Sequence, residues 1–574
     1  MNPRICASVL PVAVVMMLAV VSAPEPAAAG EVLYNAIELP EAWPPSEVHE
    51  LNREVQPVPY LKDRPEVVPI NLGRQLFVDD FLIERNGLRR EWHYPVKYAG
   101  NPVLKPETML EINRPSNSCA RACCGGVWWD PTRKKFRMWY EAGWLGSCAY
   151  AESPDGYNWT RVNHTVRPGT NALFPEGTVR FDSWIVTPDF KAPDPYSRWL
   201  LFVRPPGPSA QKSYVAVSTN GLDWSELMEA GECGDRSTAF YNPFRGKWVY
   251  SLRSEMGPWG QGGSRCRSYR EVDDFIKDSQ WKFFNYGSTE DVVMWLQPDK
   301  LEPRSSLWKL PAQIYNFDAV AYESVMVGAY SIWRGPENCD TMKHAMPKIT
   351  DIEFGFSRDG FHFFHEDRTP AVASEGWDSG RWDAGYVQSM PNVFVVKDEK
   401  LLFFYSGTKG NRDRKEIGGF SADLNGAYDG GASGIAVLRR DGFASLRPKV
   451  GERGGDVLTR PVRFSGKYLF INAQLRKGTL KAEVLDADSK VIPGYSQAES
   501  VPFTGDSVKY RLGWRGKSDL SELAGKTVRF RFVIEGAEMN RGDFYSFWVS
   551  PSERGESRGY LGGGGPGYGS VRDM

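Results

Sequence analysis

IYNFDAVAYESVMVGAYSIWRG, residues 314–335, decides the fold. A carboxylate, Asp318, stands at the head of an apolar run. The run reads as a buried strand, a tight turn at Glu323-Ser324 and a second strand ending at Trp333-Arg334. The same plan recurs upstream. In GDRSTAFYNPFRGKWVYSLRS (234–254), Asp235 heads one strand, Asn242-Pro243 makes the turn and Arg253 ends the second strand. FDSWIVTPDFKAPDPYSRWLLFVR (181–204) repeats it from Asp182.

Working outward, two further units complete the series. GGVWWDPTRKKFRMWYEAG (125–143) precedes the three, and VQSMPNVFVVKDEKLLFFYSG (387–407) follows them. Each strand pair is followed by a third strand and, in four units, by a tight turn. Those turns are SPDGYNW (153–159), STNGLDW (218–224), SRDGFHF (357–363) and RRDGFAS (439–445). Asp-Gly and Asn-Gly supply the positive-φ residue that such turns need. Four strands per unit, repeated five times, predict an all-β chain built as a five-bladed β-propeller. Two stacked sandwiches are the alternative architecture.

The predicted boundaries follow from shifts in composition. Residues 1–29 read as a signal peptide, with Arg4, a short apolar core and Ala27-Ala28-Ala29 before Gly30. Residues 30–74, rich in Pro and Glu, read as an extended N-terminal arm, and 75–450 as the propeller. Short alternating strands over 451–551 predict a C-terminal β-sandwich, and 552–574 a disordered Gly-rich tail. The expected location is therefore export, to a periplasm or the medium. No membrane association is expected once the signal is cleaved. A formal net charge of −1 gives no electrostatic case for nucleic acid. An aromatic share of 13% suits β structure and equally suits stacking on the flat faces of sugar rings. Seven cysteines remain after the signal; Cys119, Cys123, Cys124 and Cys148 are placed to form disulfides.

The innermost strand of a propeller blade runs along the central axis. Asp182, Asp235 and Asp318 are thus predicted to converge on one end of a channel, as candidate catalytic residues. Convergent carboxylates suit glycoside cleavage: one is base or nucleophile, another donates a proton to the leaving oxygen. Gln388 takes the equivalent place in the fifth unit, and Arg236 adjoins Asp235, so both are candidates for holding substrate. Trp382 and Tyr386, in SEGWDSGRWDAGY before the fifth inner strand, are candidate stacking residues. Glu323 is placed at the far end beside an arginine, Asp79-Asp80 at an exposed strand end, and His362 and His365 on a blade's outer surface. No organic cofactor and no catalytic metal is implied, although clustered carboxylates would suit a structural Ca²⁺.

The five-unit layout, the strand-head carboxylates and the trailing β-domain resemble the five-bladed propeller glycoside hydrolases of families 32 (invertase-like) and 43 (arabinanase- and xylosidase-like). GDRSTAFYNPFRGKWV, YNFDAVAYES and IWRGPEN are similar to an exported bacterial family 32-like branch of that group. The nearest string to that family's W-M-N-D-P-N-G box is VWWDP (127–131), and GDR (234–236) is a loose analogue of its R-D-P box. The resemblance implies an exported glycoside hydrolase acting on a polysaccharide or oligosaccharide. A non-catalytic glycan-binding propeller is the alternative. A sialidase-like enzyme is a third, and it would need six blades and three convergent arginines.

Overall fold

The computed structural model describes residues 30–46, 52–207, 211–257, 264–305, 307–414 and 425–574; the predicted signal peptide lies outside them. The chain is nearly all β. Among the described residues the longest helix is Asn338–His344, and none is long and apolar enough to cross a membrane.

Strands between residues 96 and 439 fall into five antiparallel units. Unit I runs outward from Ala120–Asp130 through Lys135–Ala142 and Ser147–Ser153 to Thr160–Arg161. Unit II runs from Ser183–Pro188 to Met228–Cys233, and unit III from Thr238–Asn242 to Val293–Leu296. Unit IV starts at Gln313–Glu323 and continues through Val325–Trp333 to Thr350–Ser357. Unit V starts at Gly385–Ser389 and continues through Lys400–Thr408 to Gly431–Arg439. Inner strands meet one another around a common centre. Ile185 lies parallel to Gly125, and Thr238 Oγ1 donates to the Phe317 carbonyl; from the third strand of unit IV, Thr350 Oγ1 donates to the carbonyl of Val387 on the inner strand of unit V. Asn392 Oδ1 in turn accepts from the Val127 amide, joining unit V to unit I.

The repeated turns form for a local reason. In 153–158, Ser153 Oγ accepts from the Gly156 amide while Asp155 Oδ1 accepts from Tyr157 and Asn158. Ser218 with Asn220, and Ser357 with Asp359, build the same pair of caps. These side chains satisfy amides that the turn takes out of the ladder. Asp441 of the fourth turn departs from the pattern. It is buried and accepts from Tyr322 OH, Asn472 Nδ2 and Ser546 Oγ, with Arg74 Nη1 at 2.9 Å.

Several expectations need correction. The outer strand of unit V is not 444–447. It is Val96–Lys97, paired with Ala436 and Val437, so the N-terminal side of the chain completes the last unit. Ala444–Arg447 joins a nine-stranded sheet instead, with strands from 455–550. Gln75–Leu76, Ile83–Asn86 and Arg89–Trp92 belong to that sheet too, not to the repeats. Its core gathers Phe77, Phe81, Leu469, Ile471, Phe530, Phe532, Phe544 and Phe547. The arm is not merely extended: Leu33, Ile37, Leu39 and Tyr60 are buried against the same core.

The Gly-rich tail is ordered. Tyr560–Leu561 adds a strand to unit IV, pairing with Glu323 and Tyr322. The Gly563 carbonyl accepts from Trp129, and the Gly564 carbonyl from Val396. Glycine is required here by close approach: a Cβ on Gly559 would lie 2.0 Å from Glu323 Oε2. Low hydrophobicity argued for disorder, yet the backbone of this segment fits between strands where side chains could not.

Candidate active site

The inner strands begin at one end of the ring, and charged side chains collect there. Asp182 directly precedes Ser183–Pro188, and its Oδ2 lies 2.7 Å from Arg204 Nη1 at the end of the neighbouring strand. Asp235 stands in a turn before Thr238–Asn242, 3.3 Å from Arg253 Nε, and its side chain keeps 31% of its exposure. Of the three predicted aspartates it is the one that faces solvent.

The two carboxyls feel each other, and their surroundings separate them. Burial pushes Asp182 up from the ordinary aspartate range; Arg236 opposes the rise and the charge of Asp235 adds to it. Burial also penalises Asp235, but Arg253, Arg265, Arg204 and Lys348 outweigh it and hold that carboxyl well below the usual range. Carboxyls displaced in opposite directions are suited to opposite protonation states at one pH.

Asp318 does not share their level. It is the sixth residue of a strand that starts at Gln313, and it sits beside Thr238, three residues further along the chain than Asp235. It is 1% exposed. Asn316 Nδ2 at 2.7 Å and Ser389 Oγ at 2.6 Å donate to its Oδ2. Burial pushes its carboxyl up to about 6, against the Ser389 hydrogen bond and the Arg267 charge. Tyr315, not Asp318, is the part of unit IV that reaches the Asp235 level: the charge of Asp235 acts directly on its hydroxyl.

Of the predicted substrate-holding residues, Arg236 and Tyr386 are in the site. Arg236 Nη2 donates to Tyr386 OH at 2.9 Å, and Nη1 contacts the Asp182 carbonyl at 3.1 Å and Cys124 Sγ at 3.0 Å. Tyr386 OH continues to Tyr315 OH at 3.0 Å, which Lys348 Nζ approaches at 3.3 Å. Tyr386 is buried, so it acts as a hydrogen-bonding centre, not as an open stacking surface. Trp382 is elsewhere: it packs on Tyr405 and over Gly407 and Gly434 of unit V. Gln388 is buried with its Nε2 unpaired, and its neighbour Ser389 makes the contact to Asp318.

Several residues at this end were missed. Glu141, from the second strand of unit I, is fully buried, 2.5 Å from Arg121 Nη2. Arg121 also donates to Cys119 Sγ and lies over the rings of Trp144 and Tyr386. Arg265 and Lys348 lie over Tyr315 and Trp333. Charged residues inside otherwise apolar strands, such as Arg121 in CARACCGG, were the available signal. The cysteines here are free thiols; Cys123 and Cys124 Sγ are 3.8 Å apart. Cys123, Cys124 and Glu141 could share an ion. Among the described residues Asp182, Asp235 and Asp318 form no such group, so the Ca²⁺ expected of clustered carboxylates has no ligand set here.

At the far end, Glu323 is paired as expected, with Arg74 at 3.4 Å and Arg440 at 3.1 Å. Asp79 is not an exposed strand end: it is buried against Arg358 at 2.8 Å, while Asp80 is the exposed member.

No family model matches the chain, and no curated protein does. Solved structures that resemble it include a glycosyl hydrolase from Bacteroides ovatus, 12% identical over 66% of this chain and 99% of its own, TM-score 0.39. A fructofuranosidase from Schwanniomyces occidentalis, complexed with fructosylnystose, is 9% identical over 79% and 98%, TM-score 0.34. A thermostable family-43 glycoside hydrolase is 11% identical over 58% and 95%, also at TM-score 0.34. At TM-scores this low the neighbours carry no weight for the chemistry of this chain.

Proposed function

We propose that this chain is an exported glycoside hydrolase, and that the five units are the blades of a propeller whose channel mouth holds the reacting sugar. The observation that carries the reading is the Asp182–Asp235 pair, two interacting carboxyls whose surroundings push their protonation apart. Asp235, ionised and partly exposed, is the base or nucleophile. Asp182 is the proton donor to the leaving oxygen. The Arg236–Tyr386–Tyr315–Lys348 chain positions the substrate. The nine-stranded domain with its C-terminal strands is read as the accessory sandwich, and the fold as one akin to that of families 32 and 43.

A panel of chromogenic glycosides tests this. Asp235→Asn and Asp182→Asn are each expected to lower kcat/KM by about 10²- to 10⁴-fold. The cation-rich mouth favours an acidic substituent, so uronides are expected to outperform neutral glycosides. The second reading is a glycan-binding propeller without catalysis, favoured by the close pairing of Asp182 with Arg204 at 2.7 Å, which occupies the proposed proton donor. A wild-type chain that binds glycans and cleaves none, with Asp235→Asn unchanged, would establish that reading instead.

A further inference from the structure

His362 and His365 were expected on an outer surface, and the structure buries both. His365 leads to a second polar cluster, on the flank of unit IV and away from the channel. Its imidazole stacks on Tyr330 with ring centres 4.2 Å apart and planes 9° apart. Nε2 lies 3.1 Å from Glu353 Oε2, and Nδ1 lies 3.9 Å from Glu302 Oε1. One ligand-type atom from each of Glu302, Glu353 and His365 falls within 4.8 Å of the others. The three come from separate segments: the loop after unit III, the strand Thr350–Ser357, and the residues after the Asp359-Gly360 turn.

Three observations point to a ligand. The first is charge. Asp299, Glu302, Asp351 and Glu353 face Arg334 and Arg368: four carboxyl groups against two guanidinium groups, an excess of two negative charges once all four are ionised. Arg334 Nε holds Asp351 at 2.9 Å and also bonds Glu353; Arg368 bonds Asp299 and lies 3.6 Å from Glu302. Lys62 and Glu366, which also line the space, offset each other. The second is satisfaction. Glu302 Oε2 is buried and makes no hydrogen bond, with Arg334 Nη1 no nearer than 3.9 Å, while Glu353 Oε2 and His365 Nε2 face each other at 3.1 Å without forming one. An unsatisfied buried carboxylate is costly unless an ion or water takes it up. The third is room. Glu302 and His365 line a cavity of about 490 Å³, walled by Val58, Leu61, Trp295 and Phe363.

We propose that Glu302, Glu353 and His365 form a binding site for a divalent transition-metal ion of the zinc, manganese or cobalt(II) class. Two carboxylates and one neutral imidazole suit that class, and cavity water completes the shell. A doubly positive ion cancels the excess charge. Arg334 then holds the Glu353 ligand in place, and Arg368 does so for Glu302. The site is independent of the Asp182–Asp235 pair and ties the N-terminal arm, through Val58 and Leu61, to unit IV.

The test is titration of the metal-stripped full chain with Co²⁺, followed by absorption and metal analysis. One Co²⁺ per chain is expected, displaced by Zn²⁺, with weak d–d bands and no thiolate charge-transfer band. Affinity is expected to fall about ten-fold or more in Glu353→Gln and in His365→Gln. Absence of stoichiometric uptake by the wild type overturns the proposal, whether or not the variants fold. So does a thiolate band with uptake unchanged in His365→Gln, which would move the ion to Cys123 and Cys124.

Discussion

Asp318 shows how one position can be read correctly as chemistry and misplaced in space. Its neighbours in sequence, Phe317 and Ala319, are apolar and buried, so a carboxylate there had to be either functional or paired. What the sequence did not show is where its strand begins. Gln313 and Tyr315 lie ahead of it, and Tyr315 takes the place within reach of the Asp235 charge. The buried acid has a consequence for stability. Its carboxyl is raised to about 6 in the folded chain, above the ordinary value of about 3.9. The folded state therefore binds more protons between those values, and stability falls as pH rises through that window. A shift of that size corresponds to about 3 kcal/mol, present as a penalty above pH 6 and absent below pH 4. Asp318→Asn is expected to flatten the dependence in urea unfolding followed from pH 4 to 7. An unchanged slope would mean that the charge is compensated elsewhere. At the mouth the signs differ. Asp235 is held low and Asp182 is raised, so activity is expected to persist at acidic pH and to fall on the alkaline side, as Asp182 loses its proton.

At the scale of elements, strand order was legible and strand ownership was not. The Asp-Gly and Asn-Gly turns marked where third strands end, because the caps that Ser153, Asp155, Ser357 and Asp359 provide are local. Asp441 carries the same signature but spends its side chain on Arg74, Tyr322 and Ser546, which are remote in sequence. No local pattern reports that. The tail is the same lesson with the opposite sign. Its glycines predict disorder by composition, while its two-residue strand Tyr560–Leu561 is held by an edge formed more than two hundred residues earlier. Leu561 is fully buried. Leu561→Ala is expected to cost about 2–5 kcal/mol in urea unfolding. A cost near zero would show that the tail is dispensable.

On the scale of the whole molecule, a buried charge cluster joins the repeats to the nine-stranded sheet. Arg74 comes from the N-terminal segment, Glu323 from unit IV, Arg440 and Asp441 from the end of unit V, and all are buried. Removing one partner leaves the others charged and out of water, at a cost of about 3–5 kcal/mol. Arg74→Met is expected to show that loss by chemical denaturation, and an unperturbed midpoint would count against the coupling. Composition and periodicity could give the repeated strand order and the turns within it, since those depend on neighbours in sequence. They could not give the partition between repeats and trailing domain, because Gln75–Leu76, Ile83–Asn86 and Arg89–Trp92 cross from one end of the chain to the other.

The pairing of Val96–Lys97 with unit V, and of Tyr560–Leu561 with unit IV, bears on how the protein is made. One strand is synthesised early and waits for some 340 residues before its partner exists. The other is made about 240 residues after its partner. A chain emerging from a ribosome or a translocation pore therefore cannot complete its architecture in stages. It must stay unfinished until residues 560–561 have been made, and a product cut short before Tyr560 carries an open strand edge that a protease or a chaperone can recognise.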